Sequence, residues 1–288
     1  MEFDGKIASY LIQFYKMDHT TEYKIEEIDP KELLITKRID LGAKLYYIHS
    51  VVTGENRKLA RDLYAKHIEA FSDGVLDRAK RVANTGVEWY FEKFERLISV
   101  FQNENYDMNQ EYVPVDKDGI LMDGAHRTAC GIYFGKKIKV IRFLNIHYKC
   151  HDMWYFRKRG LEEGYLELMT YVFSCYRQGA FIKELQGYHG KKALLEKLRK
   201  LQCDLLYMQY SNKGAIKKTE CIVYSIDLES NRSTEYSVRE LLKIQDKEAR
   251  QEIDVSSKEK RHCARVRFVR SRYKRMIILV KKILRKTV

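Results

Sequence analysis

The chain has 288 residues, of which 45% are apolar and 12% aromatic, so it can bury a sizeable core and is excluded from the disordered class. Lys and Arg outnumber Asp and Glu by 54 to 40, and the excess is concentrated in residues 257–288, where thirteen Lys/Arg face Glu259 alone. Six cysteines at 130, 150, 175, 203, 221 and 263 stand singly with no CxxC spacing, which argues against a disulfide framework and suits reduced thiols in the cytosol.

In chain order, the first ten residues lack a basic region followed by a long apolar core, so no secretory signal is expected and the expected location is cytoplasmic. Residues 5–17 place Ile7, Tyr10, Leu11, Phe14 and Tyr15 on one face, which predicts an amphipathic helix, and Ile25 to Ile35 predicts a strand entering the core. Residues 40–71 and 87–105 predict helices covering a sheet. The first carries Leu41, Leu45, Ile48, Leu59, Leu63 and Phe71, the second Trp89, Phe91, Phe94, Leu97, Ile98 and Phe101. Arg38, Asp40 and Lys44 form a polar cluster at the start of the first. At helical spacing Asp40 and Lys44 share a face, which fits either a solvated ion pair or the substrate side of a pocket. Pro30 and Pro114 are the only prolines, and no Ser/Gly-rich stretch announces a linker.

The most informative stretch follows. Val113–Val115 and Ile120–Met122 are short β-prone pieces joined by Asp116-Lys117-Asp118-Gly119, whose Asp-Gly step predicts a hairpin. After Met122 the period changes: Ala125, Ala129, Ile132 and Tyr133 recur at helical spacing, and Gly135 is placed to end the helix. Lys139–Phe143 resumes a strand. Asp123-Gly124 is therefore a strand-to-helix corner, where unpaired N–H groups and the positive helix end favour a phosphate or carboxylate. Gly124 admits a close ligand, and His126 and Arg127 add donors.

Asp123-Gly124-Ala125-His126-Arg127, framed by Val-Pro-Val-Asp before and Gly-Lys-Lys-Ile-Lys-Val-Ile after, resembles the phosphate-binding element of the ParB/sulfiredoxin superfamily, with a weaker match over residues 25–147. The resemblance implies an α+β fold: a ParB/sulfiredoxin-like mixed sheet with covering helices in residues 1–147. Sulfiredoxin chemistry needs a cysteine where this chain has Ala125, and Cys130 lies more than a helical turn away. The DNA-segregating branch carries a glutamate, paired arginines and a following helix-turn-helix, none of which stands out here.

The Asp-Gly-x-His-Arg form is closest to the nucleotide-dependent free-serine kinase branch. That likeness implies ATP or another nucleoside di- or triphosphate with Mg²⁺, Asp123 as metal ligand, and Gly124, Ala125, His126, Arg127 and Thr128 around the phosphates. It also implies an upstream glutamate as base. Lys66-His67-Ile68-Glu69 is the nearest counterpart, with one residue inserted between His and Glu, so Glu69 is the expected base and Asp40 its alternative. Arg38, Lys44 and His67 are the expected substrate-binding residues.

Beyond the resemblance, His147 and His151 with Cys150 form a weak zinc pattern that lacks a second ligand pair. Met153–Arg177, Lys183–Leu201 and Val238–Gln251 predict helices, and Leu205–Gln209 and Glu220–Ile226 predict strands, so residues 148–256 read as an α+β appendage. In 257–288, Val269, Tyr273, Met276, Val280, Ile283 and Leu284 recur at spacings of three and four among basic residues, which predicts a basic amphipathic tail helix. Its run Met276–Val280 is far short of the ~20 residues that span a bilayer. Such a helix suits an anionic membrane surface, a packed protein face or, less well, nucleic acid.

Two functions stand. One is a kinase acting on a hydroxyl of a small molecule or glycan, with a lipid-linked acceptor suited to the tail. The other is a ParB-like nucleotide-binding, DNA-associated module that forms no phosphorylated product.

Overall fold

The computed structural model describes residues 3, 5–72, 87–177, 180–186, 203–213 and 216–225. They fall into two compact units, 1–177 and 178–288. The expected boundary at 147 thus lies inside the first unit, which continues through two further helices.

Chain reversals set the element boundaries of the first unit. Helix α1 (Ser9–Tyr15) stops where Lys16 turns left-handed, φ 51°. Ile7, Leu11 and Met17 pack with Met122, Ile141 and Phe143, whereas Phe14 is 76% exposed, so only part of the expected apolar face is used. Strand β1 (Tyr23–Ile28) ends earlier than predicted. Asp29 caps a 3₁₀ turn over Pro30–Leu33 by accepting from the Lys31 N–H at 2.9 Å, and Pro30, which lacks a donor, suits the turn's first position. The single helix expected over 40–71 is two, α2 (Leu41–Thr53) and α3 (Arg57–Phe71), separated by left-handed Gly54 and Asn56. Helix α4 (Glu88–Gln102) forms as predicted and buries Phe91, Phe94, Ile98 and Phe101.

Strand β2 (Val113–Val115) leads into the Asp-Gly turn, where the Gly119 N–H bonds Asp116 O at 3.0 Å. The return strand shrinks to the single bridge Val115–Leu121. Helix α5 (Ala125–Phe134) then starts from Gly124 and ends at Gly135, both left-handed. Strand β3 (Ile138–Phe143) lies between the other two, antiparallel to β1 and parallel to β2, giving the order β1-β3-β2. The fold of this unit is α+β with a small mixed sheet, and α5 is the crossover its parallel pair requires. Helices α6 (Met153–Lys158) and α7 (Glu163–Tyr176) replace one predicted helix, the break falling at left-handed Gly160.

In the second unit, β4 (Ala180–Gln186), β5 (Cys203–Lys213) and β6 (Ile216–Ser225) form an antiparallel sheet of order β4-β6-β5. The two predicted strands are present. The start of the predicted helix 183–201 is strand instead, because Ala180–Gln186 pairs along its length with β6 and that pairing overrides local helical preference. The rest of that helix from 187 on, the expected helix 238–251 and the basic tail 257–288 lie outside the described residues. Among the described residues no helix is long and apolar enough to cross a membrane.

Candidate functional site

The strand-to-helix corner is built as its sequence dictates. Gly124 has φ 77°, and a Cβ there would meet Val113 Cγ2 at 3.1 Å, so both backbone conformation and the approach of β2 require glycine. No side chain caps α5, which leaves its first-turn N–H groups without an intrahelical partner. Asp123 Oδ1 accepts from the Gly124 N–H at 2.7 Å. Arg127 is anchored to the approach of β2 by Tyr112 O at 3.2 Å and Glu111 at 3.1 Å. The Thr128 hydroxyl is spent inside the helix on Gly124 O at 3.1 Å, and Ala125 is buried. His126 turns its ring toward α3 and α4, with Nε2 at 2.8 Å from the Tyr64 hydroxyl and the ring edge-on to Phe94.

Arg38, Asp40 and Lys44 form a second, deeper feature. Asp40 stands at the N-cap position of α2, yet its carboxylate does not cap the helix. It is held by the Arg38 fork, Nε at 2.7 Å and Nη2 at 2.9 Å, and by Lys44 Nζ at 2.7 Å. Arg38 Nη1 also donates to Leu121 O, just ahead of the corner. Lys44 Nζ lies 3.0 Å from His67 Nε2, and His67 Nδ1 lies 3.1 Å from Tyr64 O. Lysine can only donate, so His67 accepts at Nε2 and donates at Nδ1. The solvated ion-pair reading is overturned, since Arg38, Asp40, Lys44 and His67 are each at most 3% exposed.

Electrostatics follow from that burial. Desolvation opposes the ionised form of Asp40, but the adjacent Arg38 and Lys44 charges prevail and hold its carboxyl well below the usual range. Burial, then Lys44, depresses His67 and pushes His126 down to about 3. Burial, then Arg38, pushes His151 down to about 3. Neutral imidazoles therefore surround a cluster with two cations and one carboxylate.

These shifts fix a pH response. A histidine whose folded pKa is depressed binds protons mainly in the unfolded chain between its folded value and about 6.5. Stability should fall with pH below about 6.5, by up to about 1.4 kcal/mol per pH unit for each such histidine. The Asp40 carboxylate stays ionised across that window. Both tryptophans, Trp89 and Trp154, lie in the first unit, so fluorescence-detected urea midpoints at pH 7.5, 6.5 and 5.5 read this directly. Equal midpoints would contradict the buried neutral assignment.

The structure does not bring Glu69 to this cluster. Glu69 is exposed and paired with Lys66 at 3.0 Å, and a two-residue step from buried His67 points about 200° around α3. Asp40 joins the cluster, but three donors and a depressed pKa leave it a poor proton acceptor.

The zinc pattern is also dispersed. Residues 147–151 are not helical, His147 is exposed and His151 is fully buried. His147 instead joins Asp116 and Asp118, with ligand-type atoms within 4.8 Å of one another. The Asp116 carboxylate is already engaged by the N–H groups of Asp118, Ile120 and Tyr148, so it braces the turn. Sequence reasoning did not place His151 or Tyr64 in the site. His151 reaches it through a backbone bridge to Arg38 and its N–H bond to Lys37 O at 2.7 Å, which no local motif encodes.

Comparison of the chain with protein-family models, curated proteins and solved structures gave no match.

Proposed function

We propose that this chain is a ParB/sulfiredoxin-like, nucleotide-dependent phosphotransferase acting on an alcohol. The observation that carries the reading is the uncapped helix start at Gly124 with the Arg127 guanidinium held beside it by Tyr112 O and Glu111. Phosphoryl transfer is mainly positioning and charge neutralisation, which backbone N–H groups and fixed cations supply. Arg127, tied to β2, orients the nucleotide phosphates. Asp123 spends Oδ1 on its own corner, and its Oδ2 would hold a Mg²⁺ ion, whose charge would offset that of the nucleotide phosphates. The acceptor is a hydroxyl-bearing small molecule or glycan, and the basic stretch 257–288 supports work at the inner surface of an anionic membrane.

A specific observation favours a second reading, nucleotide binding without transfer and association with DNA: neither Glu69 nor Asp40 is placed as an effective base. Calorimetry with Mg-ATP and Mg-CTP, followed by ³¹P NMR of the incubated mixture, separates the two. Transfer predicts nucleotide binding and, with water as the acceptor, slow conversion of the nucleotide to nucleoside diphosphate and inorganic phosphate. Arg127→Ala should weaken binding at least tenfold, and Glu69→Gln should leave it unchanged. Binding with no turnover selects the second reading. No binding removes both.

A further inference from the structure

Among the described residues nothing satisfies the side chain of His151, which lies beside the cluster. It is fully buried, and both ring nitrogens lack a hydrogen-bond partner. Its ring is packed on three sides, stacked on Phe71 at 4.6 Å, edge-on to Tyr155 at 4.5 Å and tilted against Tyr148 at 5.6 Å. Aromatic packing explains where the ring sits. It does not explain an imidazole there, because a phenyl ring would pack as well without two orphaned polar atoms, and buried polar groups are normally paired.

The neighbouring cations are under-used in the same way. Arg38 spends three of its five N–H groups, two on Asp40 and one on Leu121 O. Lys44 spends two of three, on Asp40 and His67. Among the described residues Asp40 is the only carboxylate paired with either, so two buried cations share one anion. Asp123 and Tyr148, both only partly buried, lie within electrostatic reach of Arg38, where the cluster meets the corner. Spare donors, surplus positive charge and an unpartnered imidazole beside them call for the same ligand chemistry, an oxygen anion.

We infer that Arg38, Lys44 and His151 form an oxyanion seat, distinct from the helix start at Gly124, that takes a phosphoryl or carboxylate group. Within the phosphotransferase reading it is a second subsite, and it stands without that reading, since its evidence does not involve nucleotide. His151 is a binding residue that donates a ring N–H to the anion. Arg38 and Lys44 supply the charge, with Asp40 setting their geometry.

The test is calorimetric titration of the full chain with inorganic phosphate and, separately, acetate, at pH 7.5 without magnesium. Wild type should bind at least one, and the preferred anion tells a phosphoryl seat from a carboxylate seat. His151→Phe, which keeps the ring packing, should weaken that binding at least tenfold. His151→Gln, which restores a donor, should recover part of it. Arg127→Ala should weaken Mg-ATP while the His151-dependent part of the anion binding persists. Thermal melts give a parallel reading, the anion raising the midpoint of wild type but not of His151→Phe. If His151→Phe fails to fold, the Gln variant and the wild-type melts decide. Undiminished anion binding by His151→Phe, or no binding of either anion by wild type, overturns the seat. Loss of Mg-ATP binding from every protein with His151-dependent phosphate binding intact would sink the phosphotransferase reading and leave the seat standing.

Discussion

Replacing Asp40 with asparagine is expected to lower the stability of the first unit by about 3–5 kcal/mol. The change is nearly isosteric, so packing is preserved and the effect is electrostatic. Asp40 neutralises two cations that are almost completely buried, Arg38 and Lys44, through three hydrogen bonds of 2.7–2.9 Å. With the carboxylate gone, both charges remain desolvated and facing one another, and breaking a buried pair from one side leaves its partner uncompensated. An exposed pair behaves differently. Lys66 and Glu69 make a 3.0 Å bridge with both side chains about half exposed, and Glu69→Gln should change stability by less than about 1 kcal/mol. Urea unfolding followed by tryptophan fluorescence compares the two. Adding Lys44→Met to Asp40→Asn removes one of the stranded cations, so the double variant should lose less than the sum of the single changes. A loss under 1 kcal/mol for Asp40→Asn would mean that water reaches the cluster.

What could be read from the residues alone follows physical range. The unit from Val113 to Gly135 was legible because its turns are made locally: Gly119, Gly124 and Gly135 each take a positive φ that the sequence advertises. Gly54 and Gly160 advertise the breaks in the predicted helices 40–71 and 153–177 in the same way, but the apolar spacing continues across both and masks them. Asn56 carries a weaker signal of the same kind, since asparagine takes the left-handed region more readily than most residues. β4 was illegible for another reason, since its pairing with β6 lies more than thirty residues along the chain, as at Phe181–Val223.

The site divides along the same line. That Asp40 and Lys44 share a face follows from four-residue spacing, and the structure joins them to Arg38 and His67. Their burial does not follow, because an i, i+4 ion pair has the same spacing in water as in a core. The same ambiguity made Glu69 attractive: it stands two positions from His67, and only the packing of α3 shows that one faces inward and the other out. His151 had no legible role, because its relation to Arg38 spans more than a hundred residues of chain.

Gly42→Ala should be as damaging as the loss of Asp40, at about 3 kcal/mol or more, although helix propensity argues the other way. In the interior of α2, alanine is intrinsically better than glycine by about 1 kcal/mol. Packing reverses the sign. A Cβ at residue 42 would lie 1.9 Å from the carbonyl oxygen of Met169, 2.9 Å from its carbon and 3.0 Å from the Phe173 nitrogen, all backbone atoms of α7. A Cβ has no rotamer by which to move aside, and helix backbone cannot yield as a side-chain tip can, so α2 and α7 must separate and lose contact along their length. Gly42 sits between Asp40 and Lys44 on the same helix, so any retreat of α2 also displaces the charged cluster. The variant should therefore unfold at lower urea and bind nucleotide and phosphate more weakly, a coupled loss that helix propensity alone cannot produce. Stabilisation of Gly42→Ala by about 1 kcal/mol, with ligand binding intact, would show that α2 and α7 do not approach this closely and that propensity governs the position.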